Sequence, residues 1–572
     1  MISLKIFQRE EALTEKILVT AALPYANGPL HVGHLAGAYM PADVYVRYQR
    51  LKGNDVIFIC GSDEHGVPIT IRADRENVSP QDIVDRYHFM MKESFHRLGI
   101  QFDNYSRTSL PLHYKISQNI FLRLNEKGYV KEQEVRQYYC ASCRRFLPDR
   151  YIEGECPHCH HGGARGDQCE ACGRWLEPEQ LIAPKCKVCS STPEMRSTKH
   201  WYFRLSLFQE RLQQWQSSKP NWKSNVREFC AGWFAEGLTD RPITRDIDWG
   251  IPVPLPGAEG KVLYVWFDAP IGYISSTVEW AQKQGKPDRW RDYWCDPQTR
   301  LIHFIGKDNI VFHAIVWPAV LMAHDEFILP DNIPANEFLN IEGEKLSTSR
   351  NWAVWVDDYL DLFPPDPLRY YLAANAPENK DSDFSWKDFQ ARNNGELADI
   401  LGNLVNRSLS FIEKHFDAKV PPAQDLSNAD QEVLASISTS AAKIGALLDD
   451  FQVRRAAIEI MNLARAGNKY FNDSAPWTTL KLDPARCAAT LTTTVQLALA
   501  LAVLMDPFMP FSAEKLWKML NAPGSLHDQR WHDIPKLRLP AHHPLGTRDI
   551  LFRKIEDDVI ASQIAKLHQK QY

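Results

Sequence analysis

Residues 17–34 read Ile17-Leu18-Val19-Thr20-Ala21-Ala22-Leu23-Pro24-Tyr25-Ala26-Asn27-Gly28-Pro29-Leu30-His31-Val32-Gly33-His34. The apolar run Ile17 to Leu23 predicts a buried strand. Pro24, Asn27, Gly28 and Pro29 then force a turn. A helical pattern follows from about Leu35 to Lys52. Two imidazoles, His31 and His34, therefore sit where a strand ends and a helix begins. Ligands of open α/β sheets bind at that edge.

Working outward, Asp55 to Cys60 predicts a second strand, and strand and helix alternate to about Asn119. From Tyr138 to about Pro193 the composition turns to Cys, Gly, Pro, His and Arg. Strand signals return at Lys261 to Phe267 and Leu301 to Ile305, with a helix at Asn309 to Met322. The expected fold is an α/β Rossmann-type doubly wound parallel sheet split by a zinc-knuckle insertion, followed by an all-α helix bundle. The expected units are a first catalytic half at 1–119 and a connective insertion at 120–235, with its knuckles at 138–192. A second catalytic half at 236–330 and a region carrying the second motif at 331–388 come next. The bundle is expected at 389–540, and a last helix at 541–572, in the tail Thr547 to Tyr572.

The 572 residues carry a net charge of -5. A mildly acidic chain is not coated with nucleic acid, although a local basic track remains compatible with it. Met1 to Lys16 lacks an apolar core of signal-peptide length. The longest apolar run, Val495 to Met505, is too short to span a bilayer. A soluble cytoplasmic protein without a membrane partner is expected.

Of twelve cysteines, eight form four Cys-x-x-Cys pairs: Cys140/Cys143, Cys156/Cys159, Cys169/Cys172 and Cys186/Cys189. Two such turns complete a tetrahedral site of four thiolates, a structural zinc geometry. Spacing admits a nested arrangement, with Cys156, Cys159, Cys169 and Cys172 on one ion and Cys140, Cys143, Cys186 and Cys189 on another. It admits sequential pairing equally. One or two structural Zn²⁺ ions are expected, standing in for the core that so small a unit lacks. His158, His160 and His161 read as exposed loop histidines. Cys60, Cys230, Cys295 and Cys487 read as buried small hydrophobes.

A second motif lies far downstream, Lys345-Leu346-Ser347-Thr348-Ser349. Displacement at a phosphate gathers negative charge, and its catalysis is mostly positioning and electrostatic stabilisation. Imidazole N–H donors at a helix N-terminus suit that need, as does a mobile loop bearing Lys345 and hydroxyls. Gly33 would let a nucleotide approach the backbone closely. Alone, each motif reads more simply: the histidines as caps or metal ligands, the loop as a solvated turn. As a pair they point to ATP.

The two motifs resemble the HIGH and KMSKS signatures of class I aminoacyl-tRNA synthetases, and the chain is most similar to the methionyl-tRNA synthetase family. The resemblance is carried by residues 22–28 before His31, 42–48 in the next helix, 264–273, 304–308 and 475–477. It implies attack of the methionine carboxylate on the ATP α-phosphate, then transfer of the acyl group to tRNA(Met). It implies His31, His34, Lys345 and Thr348 in catalysis, with Gly33, Gly306, Asp308 and the Leu339 backbone also binding ATP, and Mg²⁺ accompanying it. For L-methionine it implies Leu23, Tyr25, Asp63, Trp266, Pro270, Tyr273, His313 and Trp317. A polarisable thioether packs well on such rings, and Asp63 would receive the ammonium. Asn403, Arg407 and Trp477 match the anticodon-contacting positions. Arg454, Arg455, Arg465 and Lys469 add charge to the same bundle. A monomer is expected, with no further domain visible after the last helix. One departure stands out. The family's second signature carries another Lys where this chain has Thr348, so Lys345 or Arg350 would carry more of the load.

Three other readings remain. A class I synthetase for another amino acid is disfavoured by the small, knuckle-built insertion. A non-catalytic tRNA-binding homologue is kept alive by Thr348. A nucleotidyltransferase shares the HxGH motif but explains neither the cysteines nor the helical last third.

Overall fold

The computed structural model describes residues 14–148, 151–166, 169, 171, 172, 176 and 178–568. The expectations for Met1 to Leu13 and for the last four residues lie outside them. Strand β1 (Lys16–Ala21) is almost wholly buried. It pairs in parallel with β2 (Asp55–Ser62) on one side, where Val19 faces Phe58. On the other side it meets β6 (Arg300–Gly306), where Val19 faces Ile302. With β3 (Asn104–Arg107) and β7 (Ala335–Asn336) the sheet order is β7-β6-β1-β2-β3, all parallel. The chain steps outward one way from β1 and the other way from β6. The crevice between their C-terminal ends is thus the switch point where such sheets bind ligands.

The helix expected over Leu35–Lys52 exists but is not uniform. Leu35–Tyr39 is a π turn, and α1 (Met40–Lys52) follows it. Asn336 at the end of β7 donates to the Ala36 carbonyl (2.9 Å), inside the turn. Such bulges recur at functional sites.

Helix α2 (Val67–Glu76) follows the loop after β2, and α3 (Pro111–Glu126) follows β3. Helix α3 runs through residue 119, and a hairpin follows it. That hairpin, β4 (Val130–Cys140) against β5 (Glu194–Phe203), holds the cysteine-rich unit at its tip. The unit has a small core of its own, including Leu147, Tyr151, Ile152 and four of the cysteines, and it rests on Val67 and Ile71 of α2.

The strand expected over Lys261–Phe267 is a correction. Only Val262–Leu263 is extended, and α4 (Val265–Lys283) begins directly afterwards. A short apolar run does not distinguish a buried strand from a buried helix. Here the helix wins by packing along β2 and β3, and Asp268 in its first turn complements the helix dipole. Helix α5 (Trp317–His324) continues a second π turn, Phe312–Val316.

The last third is helical, as expected: α6 (Asn403–His415), α7 (Asn428–Asp449), α8 (Val453–Ser474), α9 (Pro476–Leu482) and α10 (Pro484–Met505). The apolar run Val495–Met505 needs correcting. It belongs to a 22-residue helix that is long and apolar enough to cross a membrane, but that helix is the buried centre of the bundle. Among the described residues of the tail, α11 (Asp557–His568) is the helical part. The bundle joins the sheet through a buried ion cluster. Arg369 (0% exposed) binds Asp43 at 2.7 Å and the Phe508 carbonyl at 2.9 Å, and Arg47 binds the same Asp43 at 2.9 Å. Breaking one partner of such a cluster strands a buried charge.

Candidate active site

His31 caps the single turn Val32–His34 and His34 ends it. The rings stack with centroids 3.6 Å apart and planes 15° from parallel. The His34 N–H donates to His31 Nδ1 (3.3 Å), and the His31 N–H donates to His34 Nδ1 (3.2 Å). Burial holds both rings neutral, His34 at about 4 and His31 well below its usual value, the latter also through its neighbour His34. With both Nδ1 atoms accepting, each neutral ring carries its proton on Nε2. Both histidines are thereby set as outward N–H donors.

The second motif meets the first. Val32 N–H donates to Val354 O (3.0 Å), and Val356 N–H to Leu30 O (3.0 Å), which stitches the histidine turn to the chain just after the loop. Ser347 and Trp352 close that loop by reciprocal backbone bonds of 3.0 and 2.9 Å. A Cβ placed on Gly33 would stand 3.1 Å from Leu346 Cδ1 and 3.1 Å from His31 Nδ1. Gly33 therefore makes room for Leu346 and for the His31 ring alike. Lys345 and Thr348 are exposed, and Thr348 opens a short 3₁₀ turn. The Ser349 side chain is outside the described atoms. Arg350 leans on the Lys345 carbonyl (3.4 Å) and toward Glu344 (3.9 Å).

Across the switch point, β6 ends at Gly306, whose open side faces Asp308 Oδ1 at 2.7 Å from where a Cβ would be. Asp308 is exposed and Leu339 buried in a short strand beside Ser382–Phe384.

The aromatic pocket residues gather in two groups. Tyr25 bridges Asp63 through the backbone, and Trp266 Nε1 donates to the Tyr25 hydroxyl (3.1 Å). Trp266 also rests on Phe312 (4.6 Å between centroids). Deeper in, the Tyr273 hydroxyl and His313 Nε2 are 2.8 Å apart, while His313 Nδ1 faces the Asn309 carbonyl (3.1 Å). Burial lowers His313 to about 4, so Nδ1 donates and Nε2 accepts. Leu23 seals the wall against Gly272, where a Cβ would come within 2.9 Å of its Cδ2. Pro270 is buried on the same helix. Trp317 lies one turn beyond His313, but its ring neighbour is Trp294 in the core (6.2 Å).

Sequence reasoning missed four groups here. His303 on β6 packs on Tyr273 (5.2 Å) and His313 (5.4 Å). Asp268, His65 and His113 form a buried cluster. Asp268 was in plain view between Trp266 and Pro270; a carboxylate in so apolar a run was the available signal. The histidines carried none.

The cysteines pair as two nested sets. In each set the four Sγ atoms lie within 4.8 Å of one another. Cys140–Cys189 is 3.4 Å, Cys143–Cys186 3.9 Å, Cys156–Cys172 3.9 Å and Cys159–Cys169 3.6 Å. A disulfide needs about 2 Å, whereas thiolates around one zinc stand about 3.8 Å apart. Both sets fit zinc, and His158, His160 and His161 are exposed around them.

In the bundle, the Arg407 guanidinium lies 4.6 Å from the Phe471 ring and 5.7 Å from the Trp477 ring, and donates to Asn472 (2.8 Å). Trp477 is half exposed. Asn403 is one turn before Arg407 on α6. The charge expected from Arg465 and Lys469 is largely cancelled by Glu396 (2.7 Å) and Asp473 (2.5 Å).

The family model described as tRNA synthetases class I (M) matches residues 17–409, and that of the anticodon binding domain of methionyl tRNA ligase matches residues 420–571. A methionine–tRNA ligase of Bacteroides fragilis is 54% identical over 97% of this chain and 81% of its own length. One from Salinibacter ruber is 50% identical over 97% and 82%. Among solved structures, Mycobacterium tuberculosis methionyl-tRNA synthetase in complex with methionyl-adenylate superposes with a TM-score of 0.78 at 28% identity, over 94% of this chain and 100% of that one. The two family models together span this chain's parallel sheet, its cysteine nests and most of its helical bundle. The chain belongs to the methionyl-tRNA synthetases of class I.

Proposed function

We propose that the enzyme joins L-methionine to tRNA(Met) in two steps at the β1/β6 crevice. In the first, the methionine carboxylate attacks the ATP α-phosphate and pyrophosphate leaves. In the second, the acyl group passes to the terminal ribose of the tRNA. The approach of Leu346 to Gly33 supports this reading, because it brings the histidine turn and the Lys345-bearing loop side by side.

In this reading His31 and His34 donate Nε2–H bonds to charge building on the phosphates, as neutral and therefore pre-organised donors. Lys345 reaches the leaving pyrophosphate, and Thr348 offers it a hydroxyl without charge. Gly306 and Asp308 hold the ribose, and the Leu339 backbone meets the adenine. Mg²⁺ accompanying ATP supplies further charge neutralisation. Asp63 receives the substrate ammonium, while Leu23, Tyr25, Trp266, Pro270, Tyr273 and His313 enclose the thioether and exclude water. Trp317 closes the pocket floor from the core side.

Two structural zinc ions would be held by the nested thiolate sets and supply the cross-links of a unit with few apolar residues. Asn403, Arg407 and Trp477 read unpaired anticodon bases by stacking and edge bonds. We further infer a cytoplasmic monomer without a membrane partner; burial of α10 within the bundle supports the last point. ATP–pyrophosphate exchange over a panel of amino acids tests the central reading. Methionine should drive exchange best, and preference for any other amino acid would overturn it.

A further inference from the structure

Two tryptophans follow the second motif, Trp352 and Trp355. Trp352 closes the loop with Ser347 through their reciprocal backbone bonds. Its indole N–H donates to the Ile341 carbonyl (3.0 Å), on the strand that carries Leu339. Inside the loop, Thr348–Arg350 makes one 3₁₀ turn, and Asn351 ends it with φ 54° and ψ 25°. The Asn351 N–H donates to the Thr348 carbonyl (3.2 Å). Asn enters that left-handed region at little cost, so the turn accounts for the backbone at 351. The side chain has a separate job. Asn351 Oδ1 accepts the indole N–H of Trp355 at 2.9 Å.

Trp355 is anchored to the histidine turn. Its backbone forms an antiparallel bridge with His31, flanked by the Val32–Val354 and Val356–Leu30 bonds. Its ring meets the His31 ring edge-on, with centroids 6.0 Å apart and planes at 61°, a favourable aromatic arrangement. A short helix, Val356–Leu360, starts directly after it, with Val356 and Tyr359 buried. One side chain thus rests its ring on the first motif and gives its N–H to the loop of the second. The approach of Leu346 to Gly33 is apolar and sets no angle. The Asn351–Trp355 bond fixes both a distance and a direction.

We propose that Asn351 and Trp355 are positioning residues of the activation step: their bond ties the far end of the Lys345 loop to the turn carrying His31 and His34, so that cation and imidazoles meet one triphosphate in a fixed relation. Neither residue is asked to touch substrate. Phosphoryl chemistry depends on where the charges stand, so a loop cut free keeps Lys345 but presents it in fewer productive geometries. The inference rests on the proposed activation of methionine with ATP.

ATP–pyrophosphate exchange by the full chain tests it through a double-mutant cycle. Trp355→Phe keeps an aromatic ring beside His31 and removes the indole N–H. Asn351→Gly keeps the left-handed backbone and removes the acceptor. Each should lower kcat about 5- to 10-fold, the scale of one hydrogen bond, and leave the methionine KM within about twofold of wild type. The double variant should be no slower than the slower single variant, because both substitutions remove the same bond. Rates are taken per active site, titrated by the adenylate burst, so an unfolded fraction does not enter. Wild-type kcat in either single variant would overturn the inference. So would losses that multiply in the double variant, or losses that fall on the methionine KM. If Trp355→Phe does not fold, the kcat of Asn351→Gly, a change in a half-buried turn, decides alone. A wild-type chain without methionine-driven exchange defeats the functional reading, and the inference with it.

Discussion

His31 and His34 each accept the other's backbone N–H on Nδ1, at 3.3 and 3.2 Å, while their rings stack 3.6 Å apart. A local cap and the donor pair proposed for catalysis are therefore one object: the bonds that close the turn also choose the tautomer.

Separating those two jobs is possible by substitution. His34→Asn keeps an acceptor near the Nδ1 position and loses the Nε2 donor. Adenylate formation in single-turnover assays should fall about 100-fold, with a stability loss of about 1 kcal/mol or less. His34→Gln reaches toward the donor position and loses the cap, so it should retain more activity and lose more stability. Equal activity in the two variants would refute the division.

Thr348 sits exposed where related signatures hold a cation. Thr348→Lys should tighten the ATP KM or speed exchange by roughly 3- to 10-fold, the worth of about 1 kcal/mol of added charge attraction near a surface. Lys345→Ala should cost about 100-fold. A Thr348→Lys enzyme indistinguishable from wild type over an ATP titration would mean that another cation already fills the position.

Acid should destabilise the fold from below pH 6.5. Burial holds His313 and His324 at about 4, the latter with help from Arg123. Their unfolded value is about 6.5. Between those values the unfolded chain binds more protons, so stability rises with pH there. It is fully present above about 6.5 and lost as pH falls toward 4. Each of the two should remove about 1 kcal/mol between pH 7.5 and 5.5, read as a lower urea midpoint, and His313→Gln should remove its share of the slope.

The Arg407 guanidinium lies over Phe471 and near Trp477. Arg407→Ala and Trp477→Ala should each weaken aminoacylation about 10-fold or more through the tRNA KM, the scale of one stacked base. ATP–pyrophosphate exchange should not change. A parallel loss in both assays would assign these residues to stability instead.

Metal analysis of the purified chain should return two zinc ions. Cys172→Ser should lose only one, because the nests share no ligand. Chelation should expose the tip of the β4/β5 hairpin to proteolysis well before the sheet unfolds, since its small core includes four of the ligand cysteines and binding free energy there is folding free energy.

The period-3.6 pattern after Trp386 and the turn residues around Asn27 and Gly28 spoke for themselves in the sequence, because local propensity and global packing agree there. The run at Lys261 did not. Its apolar content suits either element, and only contact with β2 and β3 selects a helix.

The sequence alone carried the motifs whose combination and family resemblance point to the chemistry: two histidines one turn apart, a lysine-bearing loop, four Cys-x-x-Cys turns and an aromatic run, each a short-range pattern. The tertiary structure decided what no spacing records. It paired the thiols as nested sets, set Leu346 against Gly33, cancelled Arg465 and Lys469 with carboxylates, and buried Asp268 against His65 and His113. Those outcomes depend on burial and on contacts between residues far apart in the chain, so they exist only once the sheet has closed around its switch point.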